Sequence, residues 1–178
     1  MKPLVRWGLL TLAIAATVHA MALFAGPTII MSIAMKRIAS AGGGGHWNFA
    51  PRTTPETQRV VRSSPDLAYA ACAWDVSKGP VRIRAAGAAD YASLSLYGAN
   101  TDNFFSLNDR TMGPDGAEIV LIAKGAATPA GIDPAKIVVA PSRRGLALDR
   151  RLAPTAEAFA RADAARRAVN LCETLPKG

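Results

Sequence analysis

The sequence predicts a mainly β domain of half-buried antiparallel strands, preceded by a transmembrane helix and closed by an amphipathic helix. Three observations lead there. Residues 7–35 contain no Lys, Arg, Asp or Glu. Between residues 66 and 152 short segments alternate apolar and polar positions and are separated by Gly/Pro turns. After Pro154 an Ala- and Arg-rich stretch runs without Gly or Pro as far as Pro176.

The uncharged run is bounded by Lys2 and Arg6 on one side and by Lys36 and Arg37 on the other. About 20 apolar residues cross the hydrocarbon, so residues 7–25 alone are long enough. Trp7 at one end suits the headgroup level. Gly26-Pro27 divides the run, because proline removes a backbone donor and disfavours helix before it; residues 28–35 then continue past a kink or lie at the interface. A cleaved signal is the rival reading, with small-residue sites at Val18-His19-Ala20 and Ala20-Met21-Ala22, but signal h-regions are about 7–15 residues long and this run is longer. Flanking positive charge is nearly balanced and does not fix the orientation; the cysteines favour an exported domain. His19 within the run reads as a neutral imidazole rather than a proton relay.

Residues 1–38 are thus expected to be the anchor, 39–58 a flexible linker and 59–178 the β-rich domain. The linker reading rests on Gly42 to Gly45 followed by Pro51 and Pro55; the glycine run lacks the strand before it and the Gly-Lys-Ser/Thr after it that a phosphate loop needs. In the domain, Ala70, Cys72, Trp74 and Val76 share one face of a strand, and Tyr69 and Asp75 share the other. Val81 and Ile83 alternate with Arg82 and Arg84, and Leu94 and Leu96 with Ser93 and Ser95. This period of two marks antiparallel strands with one buried face. Residues 103–107, 117–124, 136–140 and 145–152 supply further strands, the continuously apolar 117–124 being central. Turns are placed at Ser77-Lys78-Gly79-Pro80 and at Met112 to Gly116. Phe159, Ala162, Ala165, Val169 and Cys172 recur at helical spacing, which predicts a helix packing its Cys172 face on the sheet.

Two cysteines in an exported domain, both on apolar faces, suggest a disulfide between Cys72 and Cys172; two separate buried thiols are the alternative. No C-x-x-C pair supports zinc or thioredoxin-like chemistry. Four of the 21 Lys and Arg flank the apolar run, leaving 17 against 13 acids, so the formal +8 falls to +4 for the domain. The arginine pairs at 143–144, 150–151 and 166–167 read as solvated surface, and no basic–aromatic interleaving points to nucleic acid. The one histidine of the domain, His46, lies in the linker, so a Ser-His-acid set is not formed, and no G-x-S-x-G surrounds Ser63 or Ser64. No cofactor fingerprint or metal-ligand cluster is legible; Asp102, Asp109 and Asp115 read as turn residues rather than a calcium loop. Arg62, Asp66, Tyr69 and Asp75 remain as binding candidates in one short stretch, with Asn103 and Asp109 expected near the same sheet end. Local backbone roles are the plainer account of each.

Arg62, Pro65, Asp66, Tyr69, Asp75, Ser77, Gly79 and Pro80, followed by Tyr91, Ser93, Leu94, Asn103 and Phe104, form a pattern that resembles the domain of unknown function 1254 family. Its members carry an Arg, a turn, a Tyr, an Asp-aliphatic-Ser segment and Gly-Pro before the next strand. The resemblance covers about residues 46–172 and is closest to the short, membrane-anchored branch. It implies a sandwich-like β domain and no activity. Longer members append a second β domain, the family of unknown function 1214. The expectation is therefore a membrane-anchored cell-envelope protein with a binding or assembly domain. The alternative is an enzyme subunit whose site is completed by a partner of the 1214 family.

Overall fold

The computed structural model describes residues 2–42, 45–57 and 63–176. Helix α1 (Pro3–Gly42) is followed by strands β1 (Asn48–Phe49), β2 (Leu67–Asp75), β3 (Val81–Ala85), β4 (Ala92–Gly98) and β5 (Asn103–Asn108). A one-turn helix α2 (Asp109–Met112) leads to β6 (Ala117–Ala123), and a 3-10 turn leads to β7 (Ile137–Ala140). Then come β8 (Arg144–Leu152), helix α3 (Ala156–Val169) and β9 (Leu171–Thr174). The strands form an antiparallel sheet ordered β1-β2-β8-β4-β5 and a second sheet ordered β7-β6-β3-β9, in which only β6 and β7 run parallel.

The alternation read from the sequence becomes two facing apolar layers. Ala70, Cys72, Trp74, Leu94 and Leu96 of the first sheet pack with Val81, Ile83, Ile119, Leu121 and Cys172 of the second in one core. Cys72 and Cys172 are joined, so the disulfide ties β2 to β9 across the two sheets. β2 and β8 pair along their whole length, from Leu67 opposite Leu152 to Asp75 opposite Arg144. Gly145 lies beside both Trp74 and Gly98. A Cβ there would overlap the Tyr97 carbonyl and the Trp74 ring, so the indole fits only over glycine. On the outer face of the second sheet, Arg84 bonds Glu118 across β3–β6 and Arg82 bonds Glu173 across β3–β9, each pair directly opposed.

Several expectations are corrected. Pro27 does not divide the apolar run: α1 passes through it without a break. The segment expected as linker is largely structured where it is described. α1 continues to Gly42, Trp47 is buried, and Asn48–Phe49 pairs with β2. The last helix stops at Val169, and Cys172 sits on a strand. The stop is set by Asn170, whose backbone is extended and whose side chain has two partners. Its Oδ1 accepts from the Ala86 N–H at 2.9 Å, and its Nδ2 donates to Asp149 Oδ2 at 2.8 Å.

The arginine pairs are not all solvated. Arg151 and Arg166 are buried, and so is Asp149. Arg151 donates to Asp149 Oδ2 at 3.0 Å and to the carbonyls of Ala86 and Gly87 at 2.7 and 3.1 Å. Arg166 donates to Asp163 at 2.8 Å, to the Tyr69 carbonyl at 2.6 Å and to the Ala50 carbonyl at 2.9 Å. Its guanidinium lies 5.4 Å from the ring centres of both Phe49 and Phe159. Burial pulls Arg166 below its ordinary pKa, and Asp163 opposes that pull. Arg166 therefore fastens α3 to β2 and to the segment just after β1, while Arg167 on the exposed face bonds Asp163 and lies 4.7 Å from the Phe49 ring centre.

The disulfide closes a separation of 100 residues. In the chain-entropy view such a loop adds about 4.7 kcal/mol by restricting the unfolded chain. A Cys72→Ala/Cys172→Ala chain should lose most of that in equilibrium urea unfolding. An unchanged midpoint would contradict an inter-sheet staple.

Candidate functional site

The last turns of α1 lie against the first sheet, at the end where β2 finishes and β8 begins. The apolar side chains of α1 are exposed from Leu4 to Ile30, and Met31 is the first that is buried. Between helix and sheets lies a cavity of about 340 Å³. Met35, Lys36 and Ala39 line it from α1; Trp74, Asp75 and Arg144 line it from the first sheet. Val81 and Thr174 border it from the second sheet, with Lys78 from the intervening turn.

Asp75 is the sequence-predicted residue that lies in this cleft, and its geometry is fully specified by its neighbours. Its Oδ1 accepts from the Ser77 N–H at 3.0 Å and the Ser77 hydroxyl at 2.5 Å, which forms the tight turn before Gly79-Pro80. Its Oδ2 accepts from Arg144 Nε at 2.8 Å. Partial desolvation pushes the carboxyl pKa up, but the Ser77 bonds and Arg144 outweigh it and hold Asp75 below its usual value. A carboxylate with three donors aimed at it orients Arg144; it is not poised to abstract a proton. The cleft carries three cationic side chains, Lys36, Lys78 and Arg144, against this one neutralised acid.

The other candidates are elsewhere. Asp66 and Tyr69 sit at the opposite end of β2, and nine residues of strand span about 30 Å. The Tyr69 hydroxyl accepts from the Ser64 N–H at 2.8 Å, a local turn contact, and the Asp66 backbone carbonyl accepts from the Ala153 N–H at 2.7 Å, which extends the β2–β8 pairing. Asn103 lies at the same sheet end as Asp75, but β8 and β4 intervene. Three strand spacings make that about 14 Å. Asn103 accepts from the Ser106 hydroxyl at 3.0 Å and borders a separate shallow hollow beside Thr28 of α1. Asp109 follows the far end of β5, so it and Asn103 do not share a sheet end. Arg62 lies outside the described residues. Lys36, Lys78 and Arg144 were missed by sequence reading. Arg144 had a signal in principle, since an Asp ending one strand and an Arg beginning another form a cross-strand pair in the right register. Among the described residues no group of three or more His, Cys, Asp or Glu could hold a metal ion.

Since the Asp75 pKa is lowered by folding, its contribution is complete above the unfolded value, near 3.9, and disappears as pH falls through the folded one. Asp75→Asn should cost about 1 kcal/mol at neutral pH, a modest amount because Arg144 is largely exposed and screened. Urea unfolding across a pH series should show the difference from the unsubstituted chain shrinking below about pH 4. A difference constant down to pH 2 would rule out the carboxylate as its source.

The chain resembles solved structures of wider extent. The VPA0106 protein of Vibrio parahaemolyticus superposes with a TM-score of 0.58 at 18% identity, covering 82% of this chain and 35% of that one. A putative uncharacterized protein from Burkholderia cenocepacia gives a TM-score of 0.48 at 21% identity, covering 85% of this chain and 40% of the other. This chain thus spans well under half the length of each. No curated protein matches. The family model described as protein of unknown function (DUF1254) matches residues 45–172, which is most of the sandwich with both cysteines, and the chain belongs to that family.

Proposed function

We propose that this protein is a membrane-tethered binding domain of the cell envelope. The observation that carries the reading is the division of labour along α1. Its apolar length, with a mean hydropathy of 1.9 over its most apolar 18 residues, is sufficient to cross a bilayer. Its last turns pack on the end of the first sheet and wall a cleft there. One continuous helix thereby holds the cleft at a fixed height above the membrane. The Cys72–Cys172 disulfide supports an oxidising location, and with it an exported domain. The engaged state of Asp75 supports recognition over chemistry.

A second reading is an enzyme subunit whose site is completed by a separate protein; the VPA0106 structure carries this fold within a longer protein, 35% of which this chain covers. A small anchored protein of the family of unknown function 1214 would be that partner, and its recovery by crosslinking in intact cells would favour an enzyme subunit.

Alkaline carbonate should leave the full chain in the vesicle pellet, and protease confined to the cytosolic side should spare the β domain. Release into the supernatant, or digestion of the domain from the cytosolic side, would overturn the placement.

A further inference from the structure

We infer that the cleft between α1 and the sheet end binds the phosphate of an anionic lipid headgroup; this rests on the membrane-tethered reading above. Three features of the cleft point to that chemistry. The first is charge: Lys36, Lys78 and Arg144 converge on a cavity whose single acid, Asp75, is already paired with Arg144. Arg144 spends its Nε on Asp75, which leaves its two terminal amino groups for the planar, two-point contact that guanidinium makes with phosphate oxygens. The second is the apolar part of the lining. Met35, Ala39, Trp74 and Val81 lie among the cations, so the cleft accommodates the glycerol and upper chain of an amphiphile as well as its anion. Trp74 borders the cleft, and its buried indole Nε1 has no acceptor among the described residues.

The third feature is height. A hydrocarbon core about 30 Å thick takes up about 20 helical residues. With Trp7 in one headgroup layer, a bilayer of about 40–45 Å including both layers takes up about 27–30 helical residues, so the helix reaches the outer edge of the opposite layer near residues 34–37, within the Ser32 to Ala39 stretch that lines the cleft. Lys36 is the first charged residue after the uncharged run, the position at which a lysine reaches the phosphate layer. A soluble phosphate compound would meet the same cations, but the apolar lining and the depth favour a lipid.

The test uses the full chain carrying Trp7→Phe, so that membrane-buried Trp7 does not dominate the emission. It is placed in zwitterionic phosphatidylcholine nanodiscs, and the discs are doped stepwise with phosphatidylglycerol while tryptophan emission is followed. In a separate arm, inorganic phosphate is added to undoped discs. Saturable change with phosphatidylglycerol, weakened about thirtyfold by Lys36→Gln/Lys78→Gln, is expected, each lysine near a charged surface being worth about fivefold. Lys36→Arg/Lys78→Arg should restore binding, which separates lost charge from lost folding. Saturation by inorganic phosphate alone, with the same loss in the glutamine variant, would support the phosphate site and assign it to a soluble ligand. Equal response of the unsubstituted and glutamine chains to phosphatidylglycerol, or none in either, would overturn the inference. A chain that fails to remain in the discs would instead overturn the membrane-tethered reading.

Discussion

The fully buried carboxylate of Asp149 is the constraint around which the two sheets close. It lies on the inner face of β8, opposite Ala70 of β2 and Leu94 of β4. A lone charge there would cost several kcal/mol, and it is tolerated only because Arg151 and Asn170 both donate to it. Those two donors in turn hold the backbone leaving β3, at Ala86 and Gly87. One carboxylate therefore fixes β8, the end of β3 and the junction between α3 and β9 relative to one another. That junction sets the register of β9, which puts Cys172 opposite Ile83 and within reach of Cys72. The disulfide secures the same junction covalently.

The opposite end of the sandwich has no such closure from within. Trp74 is packed against Gly145 and edge-on to Phe104, 6.1 Å between ring centres, and the cleft opens beside it. The last turns of α1 lie against that end. A helix that is exposed and apolar over most of its length, yet packed at its end, fits the membrane-tethered reading proposed above. The cleft is cationic because the strand ends and turns there carry Lys78 and Arg144 while the helix contributes Lys36.

Much of the sandwich was legible because it depends on alternation, which is local. β2, β3 and β4 follow from residues two apart, and β6 from a continuous apolar run. The end of α3 was illegible for a reason seen in Asn170: nothing near it in sequence breaks a helix, and its extended backbone is held by Asp149 and Ala86, 21 and 84 residues away. Burial of Arg166 was hidden in the same way, since its acceptors are carbonyls of Tyr69 and Ala50, not side chains. Trp47 lay within what composition marks as a linker, and a single aromatic there carries no periodicity. For the candidate site, only Asp75 was found in advance. The cleft joins α1 to strands far along the chain, and spacing within one short stretch grouped Asp75 with Asp66 and Tyr69, although a strand sends its two ends apart.

The account stands on α1 and the sandwich forming one rigid unit. Spin labels at Arg37→Cys on α1 and Leu152→Cys at the far end of β8, both exposed positions, report this directly in nanodiscs. A single narrow distance distribution from electron–electron double resonance is the outcome that a seated helix requires. A broad distribution, as from a domain swinging on a tether, would contradict it.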